Sequence, residues 1–572
     1  MGKELDKYDA IVLCIFFLIA LQIWAIPSLT SPYLFGEGDS YWHYGLADYI
    51  VESNHIDKTM PYSYINKAFL WNPVLGPLAR EYPPVNHVNY ANIIFLGGDK
   101  FVPLGIFKAI SSFIVFLGVY LLCKYLFSQT IAIIASFGVL FSNRSFSTFL
   151  FGQQPTTISF VFVPLVLYSF YKTIENISKG EDFKKYLFMM FAFILAQFLL
   201  HVQGVFISAL LIISISILFV IKFLINKRAY LLKKIFSKNK MLFYICTILV
   251  ILVVVLPFFS IYFGRLAEET GQVQKDFSRI FKWNIDSKLV AGSYPPDFVS
   301  ATKEYSIFFI PFIFLGIIFS ILKLKSDRSE SYLFILGSLI GSYLIFHSDL
   351  LVGNFLSRIA RMQIFESYIL WIFIALGISF VISFLVSSSK SFLGKEKSNY
   401  VKYTLIAVVL ILIYIQIGVP IKTSAENAYT PTLRVNAQET EASNWIKQNI
   451  PMESAFFVKT TQVYAISSKY RFIRAIAHRA TYPSSNISFD IKDFNKQYSD
   501  ANKKYGTNLP LITNSYLLLD YSDYRNLAMQ DKSYEQIVAS IENYEKRYFS
   551  DKKPLYNKDN IVIYNITGME IY

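Results

Sequence analysis

The stretch GEGDSYWHYGLADYIVESN (residues 36–54) brings two carboxylates, Glu37 and Asp39, close to an imidazole, His43. It directly follows an apolar run. A carboxylate held at the mouth of a cavity can act as a general base. Asp39 also has a bland reading, as the cap of the helix that follows it. Further along the same loop, LAREYPPVNHVNYANIIFLGG adds Arg80, Glu81, His87 and Asn89, polar groups able to bind a polar substrate. Late in the chain, GNFLSRIARMQIFESYILW spaces Arg358 and Arg361 three residues apart, which puts them on one face of a helix. A guanidinium fork matches phosphate geometry. An arginine at the end of an apolar run also snorkels to lipid headgroups, so both readings stand. Arg144, in NRSFSTFLFGQQP, is a weaker candidate of the same kind.

Two helices must position the first group of residues. Trp42, Leu46, Tyr49 and Ile50 repeat at helical spacing after Asp39, and Asn54 is a plausible stop. Such a helix can lie along a membrane surface with its rings at headgroup level. A second short helix is expected after Pro83 and Pro84, with Asn86 able to cap it and Gly97–Gly98 able to end it. A 29–103 loop with two such helices is more than a connector.

Composition places these loops on a membrane protein. The chain has 572 residues, 54% of them hydrophobic, and a mean hydropathy of +0.41. Soluble domains rarely reach that. Eleven candidate spans lie near 9–28, 104–127, 129–142, 156–171, 186–200, 203–225, 241–263, 305–323, 331–346, 364–386 and 402–420, the third, fifth and ninth being short. The alternating loops KTIENISKGEDFKK, INKRAYLLKKIFSKNK, KLKSDRSE and SSSKSFLGKEKSNYVK are dense in Lys and Arg. The positive-inside rule puts them in the cytoplasm, with the N-terminus inside and the C-terminus outside. That accounts for much of the +14 charge and removes nucleic-acid binding as its explanation. Lys108 and Lys222 read as snorkelling side chains. Cys14, Cys123 and Cys246 lie in apolar runs and read as buried thiols. From about 424 the chain turns polar. Helical patterns at 438–449 and 534–547 and strand-like SAFFVK, SYLLLDY and NIVIYNI predict a small extracytoplasmic α/β domain over 424–572, behind a membrane domain over 1–423.

GDSYWHYGLADYIVESN resembles the first external loop of oligosaccharyltransferase catalytic subunits. That family typically shows Asp-Pro-Tyr-x-His-x-Arg-x-Ala-x-Tyr-Ile-Val there. Asp39, Tyr41, His43, Ala47, Tyr49, Ile50 and Val51 match it, while Ser40 replaces the Pro and Gly45 the Arg. YPP…H at 82–87 is similar to a stretch recurring among polytopic glycosyltransferases that use lipid-phosphate sugars, the GT-C class. The resemblance implies a GT-C-like polytopic helical fold with the active site in the first external loop. It implies Asp39 as catalytic base, with Arg361, Arg358 and Arg144 as donor-phosphate contacts, and His43, Glu81 and His87 beside them. The expected partners are a lipid-linked sugar donor and a glycan or protein acceptor, in the plasma membrane.

The chain also departs from that family. Oligosaccharyltransferases carry a second acidic motif and bind a divalent cation between the two. The equivalent stretch, NRSFSTFLFGQQPTT, has no Asp or Glu. Glu37 and Asp39 alone rarely close a coordination shell, so no Mg²⁺ or Mn²⁺ is expected. The family's Trp-Trp-Asp-Tyr-Gly motif is also missing: after ASNWIKQNIPMESAFFV the chain reads KTTQVYAISSKYR. The expectation is a glycosyltransferase using a polyprenyl (dolichyl) phosphate donor. An oligosaccharyltransferase proper is the alternative, and a non-catalytic scaffold or lipid-glycan transporter a further one.

Overall fold

The computed structural model describes residues 5–30, 38–54, 85–97, 101–150, 152–225, 298–326, 328–346, 359–427, 435–459, 473–484, 511–521 and 533–569, with isolated positions between 495 and 503. They fall into two compact units.

The described residues of the first unit (1–20, 113–146 and 158–421) are helical. Seven helices among the described residues are long and apolar enough to cross a membrane: Lys7–Trp24, Val102–Leu126, Gln154–Lys179, Gln203–Lys222, Thr302–Lys325, Ile364–Lys390 and Lys397–Glu426. The count of eleven is not reproduced. The expected third, fifth and ninth spans are helices of 12, 17 and 18 residues, and the expected 241–263 span lies outside the described residues. Outward-facing Leu18, Phe188, Phe314 and Phe384 suit a lipid solvent rather than water. The last two spans run as one helical stretch, Ile359–Ile413, broken at Gly394 (φ 74°), a left-handed conformation that glycine adopts without a Cβ clash.

The first two spans run antiparallel, as a short hairpin or long loop between consecutive spans requires. Asp9, at the start of the first, is buried and bonded to Lys124, at the end of the second, and accepts from Tyr120 (2.5 Å) and Gln129 (2.9 Å). Asp6 and Asp9 also cap the helix reciprocally: the Asp9 amide donates to Asp6 Oδ1 (2.9 Å) and the Asp6 amide to Asp9 Oδ2 (2.7 Å).

The second unit groups 21–112, 147–157 and 422–572. Its centre is a five-stranded sheet of β1 (Ser454–Lys459), β2 (Ala480–Ser484), β3 (Asn514–Asp520), β4 (Tyr556–Lys558) and β5 (Ile561–Asn565), in the order β2-β1-β3-β5-β4. β1 pairs parallel with β2 and β3, while β5 pairs antiparallel with β3 and β4. The sheet buries Phe456, Leu517, Leu518 and Ile563. Helix Ala437–Asn449 opens with a capping box, Asn436 and Glu439 each bonding the other's amide at 2.8 and 2.7 Å. The loop helices Gly38–Ser53 and Val85–Gly97 share this unit's apolar core through Tyr41, Tyr44, Tyr90 and Ile94.

Candidate active site

Helix Gly38–Ser53 follows the expected span and ends at Asn54, whose φ of 55° stops it. Asp39 falls inside the first turn, so it is not the residue preceding the helix, as a cap would be. His43 follows one turn later. It meets His87, from helix Val85–Gly97, with His43 Nδ1 and His87 Nε2 2.9 Å apart and both rings buried. One nitrogen must donate and the other accept. Burial pushes the His87 imidazole down to about 3, so at neutral pH this ring is uncharged. The structure thus unites His43 and His87, two residues the sequence nominated separately.

A third element touches the same turn. Gly152, of the FGQQP stretch, has φ 83°, and a Cβ there would lie 2.1 Å from Ser40 Oγ and 2.5 Å from the Ser40 amide nitrogen. Only glycine allows that approach. Next to it, Gln154 is buried; its Nε2 donates to the Phe149 carbonyl (2.9 Å), and its Oε1 has no partner. Ser40 Oγ is likewise buried and unpaired. The described side-chain oxygens beside the Asp39 turn are therefore neutral. A hard dication wants carboxylates, which neither Ser40 nor Gln154 supplies.

At the far end of the same helix, Asp48 and Glu52 meet the C-terminal elements. His478 Nε2 lies 3.2 Å from Asp48 Oδ2, and His478 Nδ1 lies 2.8 Å from Glu52 Oε2. Lys447 Nζ is 3.3 Å from Asp48 Oδ2 and also pairs with Glu52. Asp48, Glu52 and His478 have metal-ligand spacing, their ligand atoms lying within 4.8 Å of one another. The Lys447 ammonium already supplies a cation there, and the group is a four-residue ion-pair clip. Burial acts to raise the Glu52 carboxyl, but the His478 hydrogen bond and charge and the Lys447 contact outweigh it, leaving Glu52 below its usual range.

Arg144 sits in the first unit. Its Nη1 donates to Glu366 Oε2 (2.8 Å) and its amide to Glu304 Oε2 (2.9 Å), while the Ser142 hydroxyl donates to Glu304 Oε1 (2.6 Å). Its guanidinium is thus already bonded to a carboxylate. Arg361 lies in the first turn of helix Ile359–Ile413, and its position, like that of Asp39, is all the structure describes of it. Glu37, Glu81 and Arg358 lie outside the described residues. Sequence reasoning missed Gly152, Glu304, Lys447 and His478. A glycine followed by two glutamines, and an acid at the edge of an apolar run, were the available signals for the first two.

The fold is GT-C-like. It is similar to the Archaeoglobus fulgidus oligosaccharyltransferase in its apo form, with 15% identity and a TM-score of 0.55, over 91% of this chain and 70% of that one. It is also similar to ArnT from Cupriavidus metallidurans bound to undecaprenyl phosphate, with 11% identity and a TM-score of 0.50, over 97% of each chain. The chain belongs to DUF6541, a family of unknown function, which it matches over residues 6–457. No curated protein matches it.

Proposed function

We propose that this integral membrane protein is a glycosyltransferase that moves a sugar from a polyprenyl phosphate or diphosphate to an acceptor at the outer membrane face. The reading rests on one observation: in a GT-C fold, the helix carrying Asp39 in its first turn is held by the His43–His87 pair and by the Gly152 turn. Asp39 takes the proton of the acceptor nucleophile as that atom bonds to the anomeric carbon. The bond from that carbon to the phosphate oxygen breaks, and its electron pair leaves with the lipid phosphate. Asp39 then passes the proton to water. Attack opposite the leaving group inverts the anomeric centre, as in inverting glycosidases. General-base help of this kind is worth about 10²–10⁴-fold. Arg361, supported by Arg358, takes the charge of the departing phosphate. The His43–His87 pair, in which the His87 ring is uncharged, and Glu81 bind sugar hydroxyls. Among the described residues Asp39, Arg144 and Arg361 lie in the first turns of their helices, which favours an enzyme over a transporter.

Mass spectrometry of cell-surface glycans and lipid-linked sugars after deletion of the gene tests the proposal. Loss of one sugar from an otherwise intact glycan is the expected result. Loss of every protein-linked glycan would move the reading to an oligosaccharyltransferase, and an unchanged profile would overturn both.

A further inference from the structure

Cations buried in an apolar helical protein are costly and are normally paired. The described residues obey this rule with one exception. Lys124 is bonded to Asp9. Arg479 spreads its guanidinium over the carbonyls of Lys447, Ile450, Ala477 and His478. Lys108, on helix Val102–Phe113, is only 1% exposed, yet among the described residues neither a carboxylate nor a hydrogen-bond acceptor faces its ammonium, which stands 5.3 Å from the ring of Tyr90. The expectation that Lys108 snorkels is therefore corrected: its tip is enclosed by protein. A ring face attracts a cation but does not neutralise it.

A second orphan lies on the facing helix. Asn86 is 0% exposed, and both its Nδ2 and its Oδ1 lack partners. It belongs to the first turn of helix Val85–Gly97, one turn before Tyr90 on the same face. The N-terminal end of that helix adds to a positive potential. Tyr90 packs edge-on against Phe107, the neighbour of Lys108, with ring centroids 6.0 Å apart, so the two helices are joined at this point. His87, beside Asn86, is the residue that reaches His43, one turn from Asp39. Folded proteins leave few buried polar groups unsatisfied, and those they leave ask for a missing ion, water or ligand. An unpaired ammonium, an unpaired carboxamide and a helix N-terminus together want an anion that both accepts and donates hydrogen bonds.

We propose that Lys108 and Asn86 form a subsite for a phosphate group, and that this group is the phosphate of the lipid-linked donor. The proposal deepens the glycosyltransferase reading and rests on it for the source of the phosphate. Lys108 gives a point charge to one phosphate oxygen, and the Asn86 amide orients another.

The test uses the full chain in phosphatidylcholine nanodiscs, with native mass spectrometry and melting curves. The probes are decaprenyl phosphate, decaprenol and inorganic phosphate. Wild type should bind decaprenyl phosphate and not decaprenol. Lys108→Met should lose at least tenfold in that affinity while melting no lower than wild type, because an unpaired buried charge has been removed. Asn86→Asp should also melt no lower, by pairing with Lys108, and should lose binding by repulsion. If Lys108→Met and Asn86→Asp both bind decaprenyl phosphate as wild type does, the subsite is wrong and the donor reading survives. If wild type binds inorganic phosphate, sensitive to Lys108→Met, but no decaprenyl phosphate, the donor assignment fails. Should wild type bind neither, the subsite falls altogether.

Discussion

Asp39 and His43 stand one turn apart on a single helix, and what could be read of them in the sequence was local: residue type, spacing and an adjoining apolar run. His87 was nominated for the same reason. What the sequence could not supply is who meets whom. Lys447 and Asp48 are separated by 399 positions, and nothing in NWIKQN or AIAHRA announces the contact. Lys108 shows the converse error. Its place in an apolar run fits snorkelling, and only burial by neighbours from other helices reveals an enclosed charge. At this scale the expected outcome concerns Asp39. Asn has the size of Asp without its basicity. Asp39→Asn should leave membrane yield and melting temperature unchanged and lower transfer by about 10²-fold or more. Activity close to wild type in detergent would remove Asp39 from the chemistry.

The helices and three of the strands were legible as periodic patterns. SAFFVK is β1 residue for residue, and the 438–449 and 534–547 patterns become Ala437–Asn449 and Ser533–Phe549. β2, ATYPS, was hidden by Pro483, which argues against a central strand; β2 lies at the sheet edge, where a missing N–H is tolerated. β4 is three residues long and largely exposed, too short for alternation to show. The clip of Asp48 and Glu52 on His478 and Lys447 fixes the far end of the first-loop helix to the elements around the sheet. Its pH dependence follows from Glu52, whose folded carboxyl titrates below its ordinary value of about 4.3. A depressed carboxyl stabilises fully above the unfolded value, and this stabilisation is lost as pH falls through the folded one. Melting temperature should therefore be flat from neutral pH to about 5 and drop below about 4.3. Glu52→Gln should lower the plateau and shrink that drop. An identical acid profile in the variant would show that the clip contributes nothing to stability.

Across the whole molecule, the alternation of basic and neutral loops predicts which side each unit faces. Lys179 ends a helix in a basic loop, and Lys553 lies on the sheet-bearing unit; both are exposed. In intact cells, an impermeant maleimide should label Lys553→Cys and spare Lys179→Cys until the membrane is opened. The reverse pattern would invert the topology and place the proposed donor on the cytoplasmic side. The order of the strands, by contrast, was beyond the sequence, because parallel pairing of β1 with both β2 and β3 is set by long connections rather than by tight turns.

The partners of Asp9 have a consequence for biogenesis. Apart from the Asp6 amide, its partners Tyr120, Lys124 and Gln129 are all translated after it. At a synthesis rate of about 5–20 residues per second, the first helix waits several seconds or more with its carboxylate unmatched by the Lys124 cation. Insertion of the helix and its final seating are therefore separate events, and the second is triggered by the arrival of a lysine. Nascent chains halted after Phe141 should keep the first helix resistant to alkaline extraction. Chains halted after Ser112 should release it more readily, and Lys124→Met should make the longer chains behave like the shorter ones. Equal resistance in all three would mean that the helix seats without its partner.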